Sequence, residues 1–184
     1  MKYITFYNII GVINTLIALF TSLIYHFTRQ RPFLLITAIC QTFFILEILN
    51  IKLQTSNSRY LPTVIQLFFR LFNIWIVFYF YDCCNRHFYI VMSAWYLTDC
   101  IRYLYYISRN KYIKIIRYNL FIFLYPISIY IEMSSMYKGV SKIEGMFKYL
   151  YLSFLCIYIP SMIFLIRHMF RQRKWANKKI IKNE

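Results

Sequence analysis

Apolar runs of nearly constant length recur along this chain, separated by short polar stretches. Residues 3–25 and 149–166 carry no formal charge. Residues 32–51 hold only Glu47, 60–81 only Arg70, 88–108 only Asp99 and Arg102, and 118–137 only Glu132. Each run is close to the roughly 20 residues that cross a bilayer as a helix. The pattern predicts an all-α, polytopic membrane helical bundle with six transmembrane helices. Pro32 opens the second helix, and Pro126 and Pro160 are expected to bend the fifth and sixth, because proline removes a backbone donor inside a helix. Lys2 is the only charge ahead of the first run, and no cleavage site follows it, so that run reads as a spanning helix and not a removed signal.

Composition agrees with this reading. The chain has 184 residues, 60% of them hydrophobic, with three Gly and four Pro, which is too apolar for a soluble domain of this size. No internal repeat or second domain is visible, so residues 1–184 read as a single integral membrane domain ending in a basic cytosolic tail, 167–184. An even number of spans puts both termini on one side. The polar stretches on that side hold more than twice as many Lys and Arg as those opposite, so both termini are expected in the cytosol.

The net charge of +16 suits an anionic leaflet or an anionic ligand. No soluble basic-aromatic module is long enough to argue for nucleic acid as a partner. The five cysteines show no Cys-x-x-Cys spacing and the three histidines lie far apart, so neither a disulfide framework, a zinc site nor clustered histidine iron ligands are read here, and no metal is expected. No Cys is followed six positions later by Arg, and no N-glycosylation sequon is present.

The intramembrane charges carry the candidate chemistry, since ionisable side chains in a span are costly and mark functional sites by default. Tyr118, Tyr125 and Glu132 lie seven residues apart and share one helix face. Gln66 and Arg70, four apart, share another. Trp95, Asp99, Arg102, Tyr103 and Tyr106 form a third. Arg70 and Arg102 are each expected to find an acid among Glu47, Asp99 and Glu132 inside the bundle. Glu47 itself is expected at the membrane interface.

Arg117-Tyr118, Leu124-Tyr125-Pro126 and Glu132, at these separations, resemble the very-long-chain 3-hydroxyacyl-CoA dehydratases, the protein-tyrosine-phosphatase-like membrane proteins. Tyr7-Asn8, Leu46-Glu47, the Gln66–Arg70–Trp75 set, the stretch from Trp95 to Tyr106, and Tyr158, Pro160, His168 and Arg171 extend the likeness. The chain departs from the family pattern at Asn50, at Asp99 and at Ser128. The resemblance implies a lyase of fatty-acid elongation in the endoplasmic reticulum membrane, with Tyr125 and Glu132 catalytic and Asp99, Arg102, Tyr103, Arg70 and Tyr118 supporting. It implies a long-chain acyl-CoA substrate, the lipid bilayer and other elongation enzymes as partners, and no cofactor.

Dehydration needs a base for the proton beside the thioester carbonyl and an acid for the departing hydroxyl. Glu132 is expected to transfer the proton and Tyr125 to act on the hydroxyl or thioester oxygen, with the two roles exchangeable. Their α-carbons stand roughly 10.5 Å apart along a helix, so substrate is expected between them. Arg109, Lys111, Lys114 and Arg117 are expected to meet the CoA phosphates. A non-catalytic scaffold of the same fold, or a small transporter, stays open as an alternative at this point.

Overall fold

The computed structural model describes residues 2–53, 60–84 and 87–181, with side chains for 3–53, 60–84 and 87–174. Among them every regular element is helical. These are α1 (Lys2–Thr28), α2 (Arg31–Phe43), α3 (Ile45–Lys52), α4 (Tyr60–Phe72), α5 (Phe88–Ser108), α6 (Lys111–Val140) and α7 (Met146–Ile181). A π-helical segment, Asn73–Phe80, prolongs α4. Taking α2 with α3 and α4 with the π segment, six rods result. They close into a ring in the order α1, α2–α3, α4–π, α7, α6, α5, and the π segment also reaches across to α6.

Five rods are long and apolar enough to cross a membrane: Tyr3–Thr28, Arg31–Lys52, Tyr60–Phe80, Lys111–Val140 and Met146–Lys174. Their outer faces carry exposed large apolar side chains such as Phe20 and Phe123, as expected of surfaces solvated by lipid, and the chain is a multi-pass membrane protein. The sixth expected span, α5, has the length but not the apolarity. Asp99 and Arg102 and several tyrosines lower its hydropathy, and the structure turns Trp95, Tyr96, Asp99 and Tyr103 inward, where they are buried.

Helix ends overrun the apolar runs. The basic stretch 109–117 shrinks to a two-residue turn in which Arg109 adopts φ 50 and the Asn110 side chain accepts the Tyr112 amide at 2.9 Å, capping α6. The basic tail continues α7 as helix to Ile181. Lys and Arg are good helix formers, so hydropathy marks the membrane boundary and not the helix end. Helical structure runs through Pro126 and Pro160. The loop expected at 52–59 falls largely outside the described residues.

Alternating rod directions gather the start of α1, the end of α3, the starts of α4 and α6 and the ends of α5 and α7 at one end of the bundle. There α1 and α5 approach closely. A Cβ added at Gly11 would lie 2.8 Å from the Tyr103 ring, so glycine at 11 lets the Tyr103 ring lie against α1.

Candidate active site

A cavity of about 890 Å³ opens at this end of the bundle. Its walls come from α1 (Tyr7, Asn8), α3 (Glu47), α4 (Gln66), α5 (Asp99, Arg102, Tyr103), α6 (Arg117, Tyr118, Tyr125) and α7 (His168, Arg171, Gln172), with Arg109 at the turn after α5. Tyr125, Asp99, Arg102, Tyr103, Tyr118, Arg109 and Arg117, singled out in the sequence, therefore converge onto one space.

The charges form a connected set. Arg70 pairs with Asp99 across the ring, and Arg102 reaches Glu47 Oε2 at 2.7 Å and Asp99 Oδ1 at 3.3 Å. Both arginines thus meet acids as expected, and Asp99 is shared between them. Glu47 is buried, 3% exposed, and Arg102 on α5 supplies the counter-charge that burial demands. Aromatic faces flank the cations, with Arg70 5.3 Å from the Trp95 ring and Arg102 5.1 Å from that of Tyr103. The hydroxyls of Tyr103 and Tyr7 are 3.5 Å apart.

Tyr125 lines the cavity, as do Asp99 and Arg102. Glu132 does not line it. The carboxylate is buried two turns deeper on α6, where it takes three hydrogen bonds: from Trp95 Nε1 at 2.9 Å, Asn73 Nδ2 at 3.1 Å and the Tyr158 hydroxyl at 2.9 Å. Four elements thus meet on one carboxylate, which stands apart from the ion-paired set. Ser128, buried between Tyr125 and Glu132, donates to the Tyr125 carbonyl at 3.1 Å.

The model of the family described as "Protein tyrosine phosphatase-like protein, PTPLA" matches residues 41–179. The chain belongs to this family. It is 28% identical to the mouse very-long-chain (3R)-3-hydroxyacyl-CoA dehydratase 1, over 73% of this chain and 56% of the mouse protein. It is 27% identical to the probable very-long-chain (3R)-3-hydroxyacyl-CoA dehydratase of Schizosaccharomyces pombe, over 97% of this chain and 94% of the yeast protein. A third relative, very-long-chain (3R)-3-hydroxyacyl-CoA dehydratase PASTICCINO 2 of Arabidopsis thaliana, is 27% identical over 77% of this chain and 75% of its own length. The chain spans little more than half the length of the mouse relative and nearly all of the yeast one. No solved structure matches it.

In this PTPLA chain, Arg109 and Arg117 line the cavity, whereas Lys111 and Lys114 are not among its lining residues. Lys111, the first residue of α6, is exposed. The last helix supplies Arg171, Gln172 and His168 in their stead. Sequence reasoning missed Asn73 altogether. A neutral amide in an apolar run carries no signal, although its place three residues after Arg70 and seven after Gln66 puts it near their face. Trp95 stood out by its helical spacing with Asp99 and Arg102, and Tyr158 only as part of the resemblance; their shared attachment to Glu132 is visible only in three dimensions.

Proposed function

We propose that this PTPLA-family chain dehydrates long-chain 3-hydroxyacyl-CoA to trans-2-enoyl-CoA, a step of fatty-acid elongation. The observation that carries this reading is the placement of Tyr125 on the cavity, with Glu132 two turns deeper on the same helix in a cradle of three donors. The names of the relatives, each a very-long-chain (3R)-3-hydroxyacyl-CoA dehydratase, agree with it.

In the reaction, the proton on carbon 2 goes to a base, its electron pair becomes the new double bond, and the carbon 3 hydroxyl leaves as water after receiving a proton. Glu132 handles the proton. Tyr125 hydrogen-bonds the departing hydroxyl or the thioester oxygen. Asp99, Arg102 and Arg70 hold the charges around Tyr125, and Tyr103 and Tyr118 shape the wall beside it. The substrate reaches past Tyr125 toward Glu132, and Arg109 and Arg117 stand where CoA phosphates pass the mouth.

The mouth shares its end of the bundle with the start of α1 and the end of α7, which supports a cytosolic mouth in the endoplasmic reticulum membrane, where acyl-CoA and other elongation enzymes are met. Purified protein in nanodiscs, given a long-chain 3-hydroxyacyl-CoA, should yield the trans-2-enoyl-CoA by mass spectrometry. Folded protein that never forms that product would sink the proposal and leave a scaffold.

A further inference from the structure

The cations lining the cavity are of two kinds. Arg102, inside, is consumed by Glu47 and Asp99, and Arg70 behind it is paired with Asp99. Arg109, Arg117 and Arg171, at the rim, have no carboxylate within ion-pair distance among the described residues, and both lining carboxylates, Glu47 and Asp99, are already engaged. Three uncompensated guanidinium groups on one cavity rim attract an anion of high charge.

Arg117 is also held in place. Its guanidinium carbon lies 5.2, 5.0 and 5.5 Å from the ring centres of Tyr105, Tyr106 and Tyr118, and Nη2 donates to the Tyr106 hydroxyl at 3.3 Å. Ring faces beside a fixed cation form a surface on which a flat heterocycle stacks, as bases stack on aromatic side chains elsewhere.

Helix α6 then serves as a measure. Arg117 stands roughly 12 Å above Tyr125 and roughly 22 Å above Glu132 along the axis. A pantetheine arm has the chain atoms of four to five peptide residues and extends roughly 15 Å. Phosphates gripped at Arg117 therefore put the thioester near the level of Tyr125.

We infer that the mouth formed by Arg117 in its tyrosine surround, with Arg109 and Arg171, is a binding site for the 3′-phosphoadenosine diphosphate end of CoA, and that it sets the depth at which the thioester stops. This deepens the dehydratase reading and rests on it. The shared chemistry is phosphate recognition, which an anionic lipid headgroup could also satisfy. The nucleotide is favoured because the arginines line a cavity leading to Tyr125 and are interleaved with stacking rings.

The test compares one 3-hydroxyacyl chain carried on CoA, on 3′-dephospho-CoA and on N-acetylcysteamine, with protein in zwitterionic nanodiscs. Wild type should prefer CoA, and Arg171→Gln and Arg117→Gln should each lower the ratio of kcat/KM for the CoA thioester over the N-acetylcysteamine thioester by about tenfold or more. Arg31→Gln, exposed at the opposite end of the bundle, controls for net charge and should leave the ratio alone. Calorimetry with adenosine 3′,5′-bisphosphate reads the site without turnover, and Arg171→Gln should weaken that binding by a similar factor. Equal use of the CoA and N-acetylcysteamine thioesters by wild type would overturn the nucleotide site while leaving the dehydratase reading intact. Product from no thioester would overturn the dehydratase reading itself. Variant effects that appear only when the nanodiscs contain anionic lipid would assign the arginines to headgroups and overturn the inference.

Discussion

The Tyr158 hydroxyl donates to Glu132 Oε2 at 2.9 Å, tying the middle of α7 to the middle of α6 at a point where both are buried. Asn73 donates to the same oxygen and Trp95 to the other. Tyr158→Phe should keep the ring's packing against Phe69 and remove one donor. The expected stability loss, read by thermal unfolding in detergent, is about 0.5–1.5 kcal/mol. Turnover should fall as well, and should fall little further when Tyr158→Phe is added to Glu132→Gln, since the bond then has lost its charged acceptor. Independent effects in the double variant would separate Tyr158 from Glu132.

Tyr125→Phe and Glu132→Gln each keep shape and delete one proton-handling group. Each should lower dehydration by about 10²–10⁴-fold; Tyr125→Phe should accumulate near normally, whereas Glu132→Gln turns an amide NH2 toward one of three donors and should accumulate somewhat less. Their effects should be non-additive if both act on one elimination step. Well-folded Glu132→Gln with near-normal turnover would remove Glu132 from the chemistry.

Arg102→Leu leaves Glu47 without its counter-charge and Asp99 with one partner in place of two. Breaking a buried pair typically costs about 3–5 kcal/mol in soluble proteins, so the yield of folded protein should drop sharply. Pairing the change with Glu47→Leu should restore part of that yield, measured by size-exclusion chromatography of the detergent extract. No recovery would mean that Arg102 has another structural task.

At Gly11 an added methyl must displace the Tyr103 ring. Gly11→Ala should cost about 1–3 kcal/mol, as small-to-large changes in packed interiors do. Gly11→Ala with Tyr103→Leu should recover some of it. A single variant as stable as wild type would show that α1 and α5 can slide apart freely.

For orientation, a glycosylation sequon engineered into the turn at 141–145 should be modified in microsomes. One placed between α5 and α6, at 109–110, should stay unmodified. The reverse pattern would put the cavity mouth in the lumen.

Much of this architecture was legible in the chain itself. Six runs of membrane length gave the rods, and charges isolated in apolar surroundings had to face inward, as Arg70, Asp99 and Arg102 do. The pairing of Glu47 was only half legible: an acid was expected for Arg102, but which of the three it would be depends on how rods distant in sequence pack. The role of Asn73 was hidden for a different reason: a neutral amide in an apolar run gives no sign of its partner, and that partner, Glu132, lies on another rod. The basic rim was half legible: charge density located the end of the bundle, but which cations turn toward the cavity depends on helix rotation, which favours Arg117 and Arg171 over Lys111.

The modest hydropathy of α5 has a consequence for biogenesis. A helix bearing Asp99 and Arg102 partitions poorly into lipid by itself, yet every charged partner it needs precedes it in the chain: Glu47 on α3 and Arg70 on α4. When α5 leaves the ribosome, its counter-ions have already been made. Insertion of this helix then becomes a docking event onto earlier ones. In a nascent chain truncated after α5 and tagged there with a glycosylation sequon, the sequon should stay unmodified with native Arg70 and become modified with Arg70→Leu.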